Sequence, residues 1–181
     1  GSVNITITEN ENAPTVSLVS SSASIAENSG SSITLTTTLN QITDEAVTVS
    51  FSTSGVATSG TDYGSISSIT IAANSTTGTT SFTPTDDAVY EGDELAAVAI
   101  SSVSGGGATE SGSQSVNITV TENETAPAVS LAVSASTVYD NAASLTITAT
   151  ASQISDESIV ISISSSGTAT EGNDYSTVSD I

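Results

Sequence analysis

The chain has 181 residues, with 20 Asp plus Glu and no Lys, Arg, His or Cys. That balance excludes binding of a nucleic-acid backbone and a basic membrane-surface patch, because both need Lys and Arg. It also removes the thiolate, imidazole, Schiff-base and guanidinium groups on which most catalysis depends. Only six aromatics and no Trp remain to line a sugar cleft for a paired-carboxylate glycosidase, so the chain reads as a non-enzyme.

The missing Cys and Lys also rule out disulfides, thiolate zinc sites and Lys–Asn cross-links. No apolar run is long enough for a transmembrane helix, and no signal peptide is visible. Both ends fall inside patterned segments, so the chain reads as a slice of something longer.

Residues 1–12 introduce an internal repeat. Val3-Asn4-Ile5-Thr6-Ile7-Thr8-Glu9-Asn10-Glu11 recurs as Val116-Asn117-Ile118-Thr119-Val120-Thr121-Glu122-Asn123-Glu124, and Ala13-Pro14 recurs as Ala126-Pro127. Gln41-Ile42-Thr43-Asp44-Glu45 recurs as Gln153-Ile154-Ser155-Asp156-Glu157, and Gly60-Thr61-Asp62-Tyr63 as Gly172-Asn173-Asp174-Tyr175. The offset is 116 − 3 = 113 early and 153 − 41 = 112 later, so the repeat is about 112 residues, an ordinary domain size. The expected division is 1–12 as the last strand of a preceding repeat, 13–124 as a complete repeat and 125–181 as the first half of the next.

Within 13–124, alternation of apolar and polar residues predicts seven short strands: 15–26, 32–39, 47–54, 66–72, 79–84, 95–103 and 113–121. Ile33, Leu35, Thr37 and Leu39 carry the pattern in the second, and Ala96, Val98 and Ile100 in the sixth. Turn signals such as Asn28-Ser29-Gly30, Ser59-Gly60-Thr61-Asp62 and Glu91-Gly92-Asp93 separate the runs. Ser104–Gly112 reads as a flexible hairpin loop. The implied fold is all-β, an immunoglobulin-like antiparallel β-sandwich in tandem repeats.

If the seven strands alternate in direction, nine of the twelve acids in 13–124 gather at one end. They are Glu27, Asp62, Asp86, Asp87, Glu91, Asp93, Glu94, Glu122 and Glu124. Two carboxylates about 5 Å apart repel by roughly 3 kcal/mol at an effective dielectric of 20. No basic side chain can offset that, whereas calcium accepts six to eight oxygen ligands from flexible loops.

Ile25-Ala26-Glu27-Asn28-Ser29-Gly30, Gly60-Thr61-Asp62-Tyr63 and Asp86-Asp87-Ala88-Val89-Tyr90-Glu91-Gly92-Asp93-Glu94 resemble the signature of Calx-beta domains. The resemblance implies calcium as the bound ion. It implies Glu27, Asp62, Asp86, Asp87, Glu91 and Glu94 as side-chain ligands and Val89 as a carbonyl ligand. It matches Glu122, Asn123 and Glu124 to the acidic run after the last strand. In the following repeat Asp140 and Asp174 correspond to Glu27 and Asp62, with Glu171 as an added acid. Glu9 and Glu11 belong to the preceding repeat's site.

The expected role is an extracellular, cell-surface structural repeat. It is a calcium-stiffened stalk of a large bacterial adhesin or filament, and adhesins of gliding bacteria are one candidate. The alternatives are a glycan- or protein-binding module and a calcium-sensing regulatory domain. The expected partners are neighbouring repeats of the same chain and surface glycans, host or substratum, without nucleic acid and without direct membrane contact.

Overall fold

The computed structural model describes residues 1–6, 8, 10–141 and 144–181. Glu9, assigned above to a preceding site, lies outside the described residues. The chain divides into two compact units. The first comprises 1–87 and 93–123, and the second comprises 88–92 and 124–181.

The first unit is built from β1 (Thr15–Ser20), β2 (Ser24–Ala26), β3 (Ile33–Leu39), β4 (Val47–Gly55), β5 (Ile69–Ile71), β6 (Thr77–Phe82), β7 (Glu94–Ser104), β8 (Thr109–Glu110) and β9 (Ser115–Thr121). One sheet runs β6-β3-β1-β8 and the other β2-β9-β7-β4-β5. Among the described residues there is no α-helix, only a short 3-10 turn at Glu27–Ser29.

Period-2 alternation decides what each strand buries. Ile33, Leu35, Thr37 and Leu39 of β3 point inward, as do Ala96, Val98 and Ile100 of β7. All of these but the buried polar Thr37 form one apolar cluster between the two sheets with Val16, Val47, Val49, Ile69, Ile71, Phe82, Ile118 and Val120. Each such Val, Leu or Ile contributes about 1.5–3 kcal/mol on burial.

Two expectations need correction. The first predicted strand is split: β1 pairs antiparallel with β3, while β2 crosses to the other sheet and pairs parallel with β9. The polar stretch Ser20–Ala23 has no alternation to hold it in either sheet, so the chain changes layers there. The 104–112 loop is also not a plain hairpin loop. Thr109 and Glu110 form β8 beside β1, held by Thr109 N–H to the Pro14 carbonyl and Ser111 N–H to the Val16 carbonyl, each at 2.9 Å.

Gly55 fixes how the loop after β4 leaves the sheet. Its φ of 121° is open to glycine and strained for other residues, and a Cβ there would meet the Leu95 carbonyl oxygen at 2.0 Å. Two residues on, Ala57 N–H donates to that same carbonyl at 3.1 Å. The start of the Asp62 loop is thereby fastened beside Glu94. Gly55→Ala is expected to destabilise the domain by at least about 2 kcal/mol, through strain and a backbone clash together. Thermal melting followed by circular dichroism checks this.

In the second unit, β10 (Val129–Val133) and β11 (Ile147–Ala151) pair antiparallel. Val129 faces Ala151 there as Val16 faces Leu39 in the first unit, the same register one repeat later. The apolar residues of β10 stay exposed, Leu131 at 55%, where its counterpart Leu18 is at 5%.

Candidate metal centre

Three loops of the first unit carry carboxylates inward. Glu27 opens the 3-10 turn after β2, which ends on Gly30 in the left-handed conformation, and Glu27 itself is buried. Asp62 sits in a tight turn between β4 and β5 and is also buried. Its Oδ2 accepts from the Thr58 N–H at 2.5 Å, and its carbonyl accepts from the Thr85 N–H at 2.9 Å. The next residue, Tyr63, is buried and stacks on Phe82 with ring centroids 4.5 Å apart, so the core anchors this turn. Glu94 is the first residue of β7 and is buried on the same face as Ala96 and Val98.

These buried acids meet others from distant loops. A carboxylate oxygen of Glu27 lies within 4.8 Å of one from Asp86, and one of Asp62 lies within 4.8 Å of one from Glu94. Asp86 and its neighbour Asp87 are exposed on the stretch after β6. At the end of β9, Asp93 Oδ1 accepts the Glu122 N–H at 3.0 Å, and Glu122 Oε1 accepts the Asn123 N–H at 2.8 Å. The part of Asp93 was missed in the sequence. Asp93 ties the residues after β9 to the β6–β7 stretch, a backbone contact that an acid count cannot reveal.

Val89 and Glu91 belong to segment 88–92 and Glu124 to the second unit. Covalent geometry alone keeps Glu124 one residue from Asn123 and Glu91 three residues from Glu94, at most about 11 Å between Cα atoms.

The three acids at the other end of the strands behave differently. Glu45 Oε2 accepts from the Gly106 N–H at 3.2 Å and Glu110 Oε1 from the Gln114 N–H at 2.5 Å, while Asp44 is exposed. Two of the three are thus satisfied by backbone amides.

The second unit repeats the bonds within the Asp62 turn. Asp174 Oδ2 accepts the Thr170 N–H at 2.7 Å, and Gly172 N–H donates to Tyr175 at 2.7 Å as Gly60 does to Tyr63. Asp140 and Asp174 line one open cavity of about 1110 Å³, and Glu171 is exposed.

Buried carboxylates with no basic side chain in the molecule are a hard-cation donor set, all oxygen and anionic. The Calx-beta domain family model matches residues 9–124 and again 123–180. The chain belongs to the Calx-beta family. Calx-beta domains are calcium-binding β-sandwich modules, regulatory or structural in role. Among solved structures, the apo form of a Calx CBD1 domain is 17% identical, with 60% of this chain and 98% of that one covered at a TM-score of 0.50. The calcium-binding domain CBD12 of CALX1.1 is also 17% identical, with 64% of this chain and 49% of that one covered at a TM-score of 0.51. These likenesses bear on the sandwich fold. Among curated proteins no sequence matches the chain.

Proposed function

We propose that this Calx-beta chain binds calcium and serves as a stiffened stalk segment of a large bacterial adhesin or filament at the cell surface. On this reading it supports adhesion, gliding motility included. One observation carries the reading: Glu27, Asp62 and Glu94 are buried from three separate loops in a chain without a single Lys, Arg or His.

The residues that would hold the ion in the first unit are Glu27, Asp62, Asp86, Asp87 and Glu94. The Val89 carbonyl, Glu91, Glu122, Asn123 and Glu124 are within reach along the chain. Bound calcium supplies positive charge and a shared coordination sphere, and so joins loops that otherwise repel. The protein's part is done beforehand: Gly55 sets the loop path, Tyr63 anchors Asp62, and the β7 alternation turns Glu94 inward.

Only about seven residues, one of them Pro127, separate the end of β9 from β10, so loops fixed at the end of β9 leave little hinge. A protein of two complete repeats is expected to give a narrow distance distribution in small-angle scattering with calcium. In chelator the distribution broadens, with little loss of sheet signal. The same distribution in both conditions would overturn the stiffening role and leave calcium to the stability of each domain.

A further inference from the structure

Within the second unit, the segment 88–92 is bonded to the stretch that follows β11. Tyr90 N–H donates to the Ile154 carbonyl at 3.0 Å, and Ser155 Oγ donates to the Tyr90 carbonyl at 3.0 Å. Tyr90 and Ser155 form a parallel bridge. Beside them, the Gln153 side-chain amide donates to the Thr125 carbonyl.

The first unit carries the same framework one repeat earlier. Gln41 Nε2 donates to the Asn12 carbonyl at 2.7 Å, as Gln153 does to Thr125. Ile42 and Thr43 stand where Ile154 and Ser155 stand in the repeat. Here the stretch borders an open cavity of about 490 Å³ lined by Asn12, Pro14, Gln41, Ile42, Thr43 and Asp44. Ile42 is 62% exposed at its rim, and Ile154 is 70% exposed beside the bonded Tyr90 segment, so in both repeats the pairing uses the backbone here and leaves the side chain outside.

We propose that this cavity is the docking groove for the Tyr90-type segment of a preceding repeat, bound as a short parallel strand to Ile42 and Thr43. The occupant is a further copy of 88–92, because that segment holds the equivalent positions in the second unit. One difference sets the bonding. Thr43 Oγ1 is already committed to the Glu45 carbonyl at 2.6 Å, whereas Ser155 turns to Tyr90. Docking on Thr43 therefore uses the backbone. The incoming N–H donates to the Ile42 carbonyl, and the pattern of a parallel bridge offers the Asp44 N–H to the incoming carbonyl. Recognition by main chain suits a repeat array, since side chains along it can vary while the junction is retained. The proposal goes beyond the calcium reading and does not depend on it.

The chain has no Cys, so an introduced pair reports its own proximity. The test protein is the full chain with residues 13–113 placed before Gly1, so that 1–12 close the added copy. Residues paired in neighbouring strands lie about 5 Å apart, within disulfide reach. One variant carries Tyr90→Cys in the added copy with Thr43→Cys. A reference variant carries Tyr90→Cys at the original position with Ser155→Cys. A third pairs Val89→Cys of the added copy with Ile42→Cys, whose exposed position leaves the core packing at Thr43 untouched. All three are expected to shift wholly to the faster-migrating, internally cross-linked form on oxidation in calcium, and in chelator as well, where oxidation traps the closures of a junction that is otherwise free to open. Closure of the reference pair alone would overturn the groove at Ile42 and Thr43. Failure of all three would overturn segment docking in both repeats. Neither result bears on whether the carboxylates hold calcium, which melting decides.

Discussion

Excess calcium is expected to raise the melting temperature of this chain by roughly 10 °C or more over chelator. An extracellular module with a dissociation constant of about 0.1–1 mM gains about 2.7 kcal/mol per site at a hundredfold excess of ligand. In a domain a little over 100 residues long each kcal/mol moves the midpoint by about 4 °C. The sharper expectation is a change of sign. Glu94→Gln and Asp62→Asn each remove one charge from a carboxylate pair within 4.8 Å. At an effective dielectric of 20 that repulsion is about 3 kcal/mol. In chelator both variants are therefore expected to melt above the parent protein, and in calcium below it. The amide in Asp62→Asn keeps an oxygen to accept the Thr58 N–H, so the turn survives. Asp44→Asn, at the other end of the strands, is expected to change neither midpoint. A parent protein indifferent to calcium and chelator would sink the metal centre, and variants less stable than the parent in chelator would sink the repulsion argument.

The inward turn of Glu94 was half legible: the predicted strand began at 95 and left Glu94 in the preceding loop, yet the period carried by 96, 98 and 100 extends back to it. Residues 94, 96, 98 and 100 share one face of a strand, so the acid at the head of the run had to point where Ala96 and Val98 point. The same rule sends Asp93 the other way, and it is exposed. The gathering of acids from several loops also followed from alternating strand direction. Two things did not follow. Glu27 is buried by a 3-10 turn that no period announces, and the tandem acids Asp86 and Asp87 give no sign of which one approaches Glu27.

The fold shows the same limit. Long alternating runs such as 33–39 and 94–104 were readable because burial on one face imposes a period. The layer change between β1 and β2 and the two-residue β8 were not. They rest on single backbone hydrogen bonds, to Pro14 and Val16 among others, that leave no mark on side-chain pattern. Gly55 is an intermediate case. A glycine at a strand end is a weak turn signal in sequence, and only its closeness to the Leu95 carbonyl makes it obligatory.

The core and the centre meet at Tyr63, and a pair of substitutions separates their contributions. Tyr63 and Phe82 are both buried and stacked on each other, so truncating either opens a cavity of aromatic size. Tyr63→Ala and Phe82→Ala are each expected to lower stability by about 3–5 kcal/mol. Their effects on calcium should differ. Tyr63 directly follows Asp62 and closes its turn, its carbonyl accepting the Gly60 N–H at 2.7 Å and its backbone bridging Pro84. Phe82 lies at the end of β6, away from the Asp62 turn in sequence, and supports it only through the ring stack. Tyr63→Ala is therefore expected to weaken calcium binding, measured by titration calorimetry below the midpoint of each variant, while Tyr63→Phe keeps the ring and the affinity. Phe82→Leu, which retains apolar bulk, is expected to lose stability with little change in affinity. Equal losses of affinity in Tyr63→Ala and Phe82→Leu would mean that the turn is held by the core as a whole. A Tyr63→Ala protein with parental affinity would mean that the backbone bonds at Thr58, Gly60 and Thr85 hold Asp62 in place without the ring.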